Sequence, residues 1–234
     1  MTADRRTAMT TGILFLLAIV AGVLSLAMLG TALERPLDLA KISENETRIT
    51  LGALFELAMA VSVASIAITV YPVLKRQNGA LALGYVGARL TEGILFLVSV
   101  IGLLSLLTLS QEFAASDAPD APHFQTLGAV LLAAHEWAGS ALVPTVAFGP
   151  SALIFYYLLY RTRLVPRWLA LWGLIGAVPY IAAGLRIMFG ADPVATSSIV
   201  LFLPIAINEL ILGVWLIVKG FAPPATPTPL ASAA

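Results

Sequence analysis

Long apolar stretches separated by short polar segments dominate the chain. About 20 apolar residues in an α-helix cross the roughly 30 Å of membrane hydrocarbon. Five stretches meet this length: residues 9–30, 49–74, 80–107, 168–189 and 198–218. Apolar runs of this length predict transmembrane helices.

A sixth apolar stretch, residues 124–160, is too long for one span and too short for two. As a single helix it would extend about 55 Å, nearly twice the hydrocarbon thickness. We interpret it as one span over residues 140–160, preceded by a shorter helix over about 124–139. Pro144 and Pro150 predict a kink or break there. The short helix is expected to lie at the outer surface, to re-enter the membrane, or to continue the span, with a separate piece favoured over one straight helix.

Composition supports an all-α, polytopic bundle of six transmembrane helices. The 234 residues are 59% hydrophobic and 11% charged, with mean hydropathy +0.95. These values exclude a soluble globular enzyme, a disordered chain and a coiled coil. The net charge of zero argues against nucleic acid as a partner, and the absence of cysteine excludes disulfides and thiolate chemistry.

The distribution of charge predicts the orientation of the bundle. Basic residues collect on the side expected to be cytoplasmic: Arg5, Arg6, Lys75, Arg76, Arg161, Arg163, Arg167 and Lys219. Acidic residues outnumber basic ones on the other side, at Glu34, Asp38, Glu44, Glu46, Glu112, Asp117, Asp120 and Asp192. Both termini are therefore predicted to be cytoplasmic. Residues 1–220 form one membrane domain in this interpretation, and the Pro/Ala-rich tail 221–234 is predicted to be disordered.

Ionisable or polar side chains inside the spans are the candidate functional residues, because burying a charge in the membrane is costly. The candidates for binding a ligand or ion are Glu56, His135, Glu136, Arg186, Asn208 and Glu209. Glu209 lies near the midplane, below Pro204. We expect these residues to line one polar cavity in the outer half of the bundle, where crowded carboxylates cannot all ionise. Arg186 is the expected counter-charge, so that Arg186→Ala should be more harmful than Glu209→Gln.

A second polar pair lies nearer the cytoplasmic side. Arg89 and Glu92 are three residues apart and share a helical face with Tyr85, Phe96 and Ser99. We interpret Arg89 and Glu92 as a structural ion pair, separate from the outer cavity.

The residues indicate no catalytic set, metal site or cofactor. The spans contain no lysine for a Schiff base, and the two histidines, His123 and His135, are too few for a membrane zinc hydrolase. Three functions remain open. A non-catalytic membrane component with structural ion pairs is slightly favoured. The first alternative is a small-molecule or ion binder or transporter, in one form proton-coupled. The second alternative is an enzyme that uses Glu and His to act on a lipid. The lipid bilayer is the expected partner, a small ligand is compatible with the pattern, and no oligomeric state is indicated.

Several strings give the chain a family resemblance: ALGYVGARLTEGILFL (82–97), LLSLLTLSQEF (103–113), FQTLGA (124–129), LVPRWLALWGLIGA (164–177) and NELILGVWLIVKGF (208–221). They resemble the bacterial membrane family known as domain of unknown function 4386. The resemblance implies an integral membrane protein of about six helices in a bacterial inner membrane. It supplies no activity and no catalytic residues.

Overall fold

The structure is a computed structural model that describes residues 3–30, 32–33, 35–116 and 121–222. The predicted tail from residue 223 onward, together with Glu34, Asp117 and Asp120, lies outside the described residues. Within them the chain is helical and contains no strand. The helices are α1 (Ala3–Leu29), α2 (Leu39–Glu44), α3 (Glu46–Lys75), α4 (Gly79–Ala115), α5 (Ala121–Glu136), a π-helical segment (Trp137–Ala147), α6 (Phe148–Thr162), α7 (Arg167–Met188) and α8 (Thr196–Val218).

The described residues contain six helices long and apolar enough to cross a membrane. They are Ala3–Leu29, Glu46–Lys75, Gly79–Ala115, Pro122–Thr162, Arg167–Met188 and Thr196–Val218. The predicted all-α, six-span architecture is confirmed, and the protein is a multi-pass membrane protein. We call the end of the bundle with the α1–α2, α4–α5 and α7–α8 connections the outer end, and the opposite end the inner end.

The fourth span differs in detail from the expected separate or re-entrant piece. A shorter helix, α5, does precede the span, but it runs directly into the π-helical segment and then into α6. Of the three arrangements considered, α5 therefore continues the span. Pro144 lies within the π-helical segment, where it cannot donate an α-helical hydrogen bond. The wider π turn accommodates this loss, and Phe148 N donates to Val143 O five residues earlier.

The spanning helices form a closed ring. Going round it, α3 packs against α1, α1 against α8, α8 against α7, α7 against α6, α6 against α4, and α4 against α3. Glycine permits close approach between these helices, because a Cβ atom on Gly12 of α1 would lie 2.5 Å from the Gly213 carbonyl oxygen of α8. Large apolar side chains such as Val23, Ile101 and Ile175 are exposed on the outside of the ring, as expected for surfaces in contact with lipid.

Two apolar clusters divide the interior of the ring. The larger contains the aromatic rings of Phe15, Tyr85, Phe155 and Tyr156. The smaller lies at the outer end, where Leu39 and Ile42 of α2 are fully buried. Helix α2 is held there by its N-cap Asp38, whose side chain accepts hydrogen bonds from two backbone N–H groups. The main polar cavity lies between these two clusters.

Candidate functional site

A cavity of about 540 Å³ lies in the outer half of the bundle. It is bounded by α1, the α1–α2 connection, α3, α4, the end of α5, the start of the π-helical segment, the α7–α8 connection and the start of α8. Charged, histidine and serine side chains on its wall are Ser25, Arg35, Glu56, Ser99, His135, Glu136, Ser140 and Asp192. Leucine, methionine and phenylalanine side chains cover much of the remaining wall. The cavity lining is therefore largely apolar, with a few polar groups.

Glu56, Ser99 and His135 form the inner polar corner of this cavity. The His135 Nδ1 atom lies 2.8 Å from Ser99 Oγ and 3.2 Å from the Ser99 carbonyl oxygen. Ser99 Oγ in turn donates to the His135 carbonyl oxygen at 3.0 Å. Glu56 Oε2 lies 3.9 Å from His135 Nδ1, and a glycine at position 139 leaves room beside both Ser99 Oγ and Glu56 Oε1.

The hydrogen bonds determine which nitrogen of His135 carries a proton. A carbonyl oxygen only accepts, so the Ser99 hydroxyl proton is directed to the His135 carbonyl. Ser99 Oγ and the Ser99 carbonyl oxygen therefore both accept from Nδ1–H. The Nε2 atom of a neutral His135 is then a hydrogen-bond acceptor on a residue that lines the cavity.

The two glutamates of the cavity differ in their pairing. Glu136 forms a salt bridge with Arg35, with Arg35 Nη2 2.5 Å from Glu136 Oε2. The Arg35 side chain is 60% exposed, which places this pair at the rim. Glu56 is only 5% exposed, and its Oε2 atom has no hydrogen-bond partner among the described residues. The inner carboxylate therefore has no guanidinium partner among the described residues, and its ion-pair neighbour is His135, 3.9 Å away.

A second polar cluster lies deeper in the bundle. Arg89 Nη1 lies 2.9 Å from Glu92 Oε2, and both side chains are almost fully buried. The Arg89 guanidinium also stands 5.4 Å from the centre of the Phe148 ring. Glu209 of α8 is half-buried, and the charges of Arg89 and Glu92 act on it, although no salt bridge or hydrogen bond among the described residues joins it to either. Three tyrosine side chains share this electrostatic environment: Tyr85, Tyr156 and Tyr180.

The depth of these residues explains why Glu209 belongs to this second cluster. Arg89 lies about 15 Å from the inner end of α4, and Glu209 lies about 14 Å from the inner end of α8. Phe202 of α8 lines the outer cavity. Glu209, seven residues later, shares the face of Phe202 but lies about 10 Å deeper.

The structure thus divides the residues that the sequence places in one outer cavity. Glu56, His135 and Glu136 line that cavity. Glu209 does not line it, and neither do Arg89 and Glu92, which form their own salt bridge. Asn208 Nδ2 donates to the Leu169 carbonyl oxygen at 2.9 Å, between α8 and α7.

Arg186 also differs from its expected place as the counter-charge of the cavity. It is exposed, and its Nη2 atom donates to Ser197 Oγ at 3.2 Å. The guanidinium at the cavity belongs to Arg35. Arg35 and Asp192 were missed because both lie in connections outside the apolar stretches, where hydropathy carries no information about their position. The sequence could have predicted Ser99 as a site residue, since it lies two turns above Glu92 on the same face of α4.

These observations define the class of the chain: a multi-pass helical membrane protein with a polar cavity and a buried charge cluster inside its bundle. In the part of the chain that the structure describes, no group of three or more histidine, cysteine, aspartate or glutamate side chains is placed to hold a metal ion. The model of the family described as Domain of unknown function (DUF4386) matches residues 10–220, so the chain belongs to this family. No curated protein and no solved structure matches it.

Proposed function

We propose that the protein binds a small organic cation, an amine with an apolar body, in the outer cavity. The observation that carries this proposal is the buried Glu56 carboxylate on the cavity wall, whose Oε2 atom has no hydrogen-bond partner among the described residues. Burying a carboxylate oxygen without a hydrogen-bond partner is costly. A cationic ligand would supply the missing partner.

The size and charge of the cavity support the same ligand class. Ligand cavities typically measure about 300–1,000 Å³ and combine apolar walls with a few polar groups, and about 540 Å³ falls in this range. Among the described residues that line the cavity, three carboxylates, at Glu56, Glu136 and Asp192, face one guanidinium, that of Arg35. This excess of negative charge favours a cation.

Binding is favoured over chemistry on a lipid by the geometry around His135. In a nucleophilic serine site, the imidazole presents a lone pair to the serine hydroxyl. Here Ser99 Oγ and Glu56 Oε2 both approach Nδ1, which carries the proton, and Ser99 donates to a backbone carbonyl. Ser99 is therefore not activated in this arrangement.

The cavity supports a site accessible from one side. Phe96 and Phe202 lie on its wall, and the Tyr180 ring makes tilted contacts with both Phe202 and Phe148. These rings lie between the cavity and Arg89, which contacts Phe148. Transport would require movement of this aromatic layer, so binding is the function proposed.

Thermal unfolding in detergent can test the proposal with 2-phenylethylamine as the cationic probe and 2-phenylethanol as its neutral control. A ligand that binds the folded state raises the melting temperature with concentration. We expect the amine to stabilise the wild-type protein more than the alcohol does. Glu56→Gln should weaken amine binding about tenfold, the loss of roughly one charge-assisted hydrogen bond.

Glu46→Gln is the matched control, because Glu46 lies on the same helix, is exposed and does not line the cavity. It should leave the amine response unchanged. Equal responses to amine and alcohol, or equal losses in Glu56→Gln and Glu46→Gln, would contradict the proposal. Either result would favour a structural role for these charges, without a ligand.

We further propose that the chain resides in a bacterial inner membrane with both termini in the cytoplasm. The basic connections at the inner end support this orientation. Reporter fusions at Asn78 and Thr162 should be cytoplasmic, and fusions at Asn45 and Asp117 extracytoplasmic. A cytoplasmic signal at Asp117 would contradict the orientation.

A further inference from the structure

A second cavity, of about 410 Å³, lies at the inner end of the bundle. It opens between the α6–α7 connection and the end of α8. Its lining comprises residues 163–167 together with Trp215 and residues 219–222. The spans end here, so the cavity stands at the boundary between hydrocarbon and the polar headgroups.

Backbone contacts hold the two walls of this inner cavity together. Ala222 N donates to the Leu164 carbonyl oxygen at 2.8 Å, which joins the segment after α8 to the α6–α7 connection. Gly220 adopts φ +78°, a left-handed conformation that glycine tolerates and that turns the chain back toward this connection. The cavity is therefore built from segments far apart in sequence.

The charged side chains that line the inner cavity are all basic: Arg163, Arg167 and Lys219. Among the described residues, no carboxylate forms a salt bridge with any of them. Arg167 lies over the Tyr160 ring, 5.3 Å from its centre. Trp215 and Phe221 contribute apolar wall beside these charges.

The carbonyl groups at the end of α8 would otherwise add negative potential beside this cavity. Arg5 neutralises them, because its guanidinium donates to the carbonyl oxygens of Leu216, Ile217 and Val218. The nearby acid Asp4 is itself paired with Arg76. The potential at the cavity is therefore positive.

We propose that this inner cavity binds the phosphate of an anionic phospholipid headgroup. Arg163, Arg167 and Lys219 would contact the phosphate oxygens, and Trp215 would pack beside the glycerol and upper acyl region. Basic pockets between helices at the cytoplasmic membrane surface have the chemistry to hold such headgroups. The proposal is independent of the outer cavity and of its cationic ligand.

Native mass spectrometry of the delipidated protein in detergent can test this site. The probes are phosphatidylglycerol, phosphatidylcholine and inorganic phosphate, each titrated separately and in competition. We expect phosphatidylglycerol to bind more tightly than phosphatidylcholine. The double variant Arg163→Gln/Lys219→Gln should bind phosphatidylglycerol about 30-fold more weakly, from about a factor of five for each basic residue near an anionic surface.

The matched control is Arg6→Gln/Lys75→Gln, which removes the same charge from the same end but outside the cavity. This control should keep the preference for phosphatidylglycerol, and both variants should keep the wild-type melting temperature. Equal losses in the two double variants, or no preference in the wild-type protein, would overturn the proposal. Inorganic phosphate that competes as well as phosphatidylglycerol would overturn the lipid as the ligand and leave a site for free phosphate.

Discussion

Replacing Arg89 by methionine should strongly destabilise the bundle. Arg89 and Glu92 are each only 3% exposed, so water screens their interaction very little. Methionine fills a similar volume but leaves Glu92 and Glu209 without the guanidinium. Removing one partner of a buried ion pair typically costs about 3–5 kcal/mol. For a chain of this size, that corresponds to a fall in melting temperature of about 6–20 °C.

The same reasoning predicts which second substitutions restore stability. Glu92→Gln removes one uncompensated carboxylate from the Arg89→Met protein, and Glu209→Gln removes the other. The triple variant should recover more than half of the lost stability, because replacing all charged members of a buried group is far less costly than breaking it. The four tryptophans provide the fluorescence signal for thermal unfolding in detergent.

Glu56→Gln in the Arg89→Met background is the control, since it removes an equal charge from the outer cavity. It should change the melting temperature of Arg89→Met no more than it changes that of the wild-type protein, so rescue is measured against the same substitution in the wild-type background. A fall of less than 2 °C in Arg89→Met, roughly the effect of 1 kcal/mol or less, would refute the assignment of Arg89 as the central counter-charge. Equal rescue by Glu56→Gln and Glu209→Gln would refute the grouping of Glu209 with Arg89.

Three further substitutions separate packing and surface effects. Gly12→Ala should cost about 1–3 kcal/mol of stability, because the added methyl group overpacks against the Gly213 backbone. Gly87→Ala is the control: its methyl group meets nothing within 4 Å, so it should be neutral or stabilising by up to about 1 kcal/mol. Equal effects of the two substitutions on denaturant unfolding would argue against the α1–α8 contact. Arg186→Ala should cost less than about 1 kcal/mol, because the residue is exposed and makes one hydrogen bond to Ser197. A loss of stability as large as that of Arg89→Met would contradict this prediction and indicate that Arg186 is a principal counter-charge.

The class of protein and its spans are predictable from sequence for a simple physical reason. Hydrocarbon cannot hydrogen-bond to the backbone, so a spanning segment must be helical, apolar and about 20 residues long. That requirement acts on each segment separately, and residues 49–74 or 198–218 satisfy it without reference to any other part of the chain. The fourth span was less predictable, because Pro144 signals an irregularity without specifying that a π-helical segment absorbs it.

The partners of the buried charges were decided by tertiary structure. Hydropathy gives the depth of Glu209 along α8, but the rotation of α8 about its axis depends on how it packs against α1 and α7. The salt bridge of Arg35 with Glu136 joins a connection to a distant helix. The sequence by itself determined which residues are costly to bury and about how deep they lie. Only the packing of the ring determined that Glu56 faces the cavity beside His135 while Glu209 lies outside its lining, because such contacts depend on the relative positions of helices far apart in the chain.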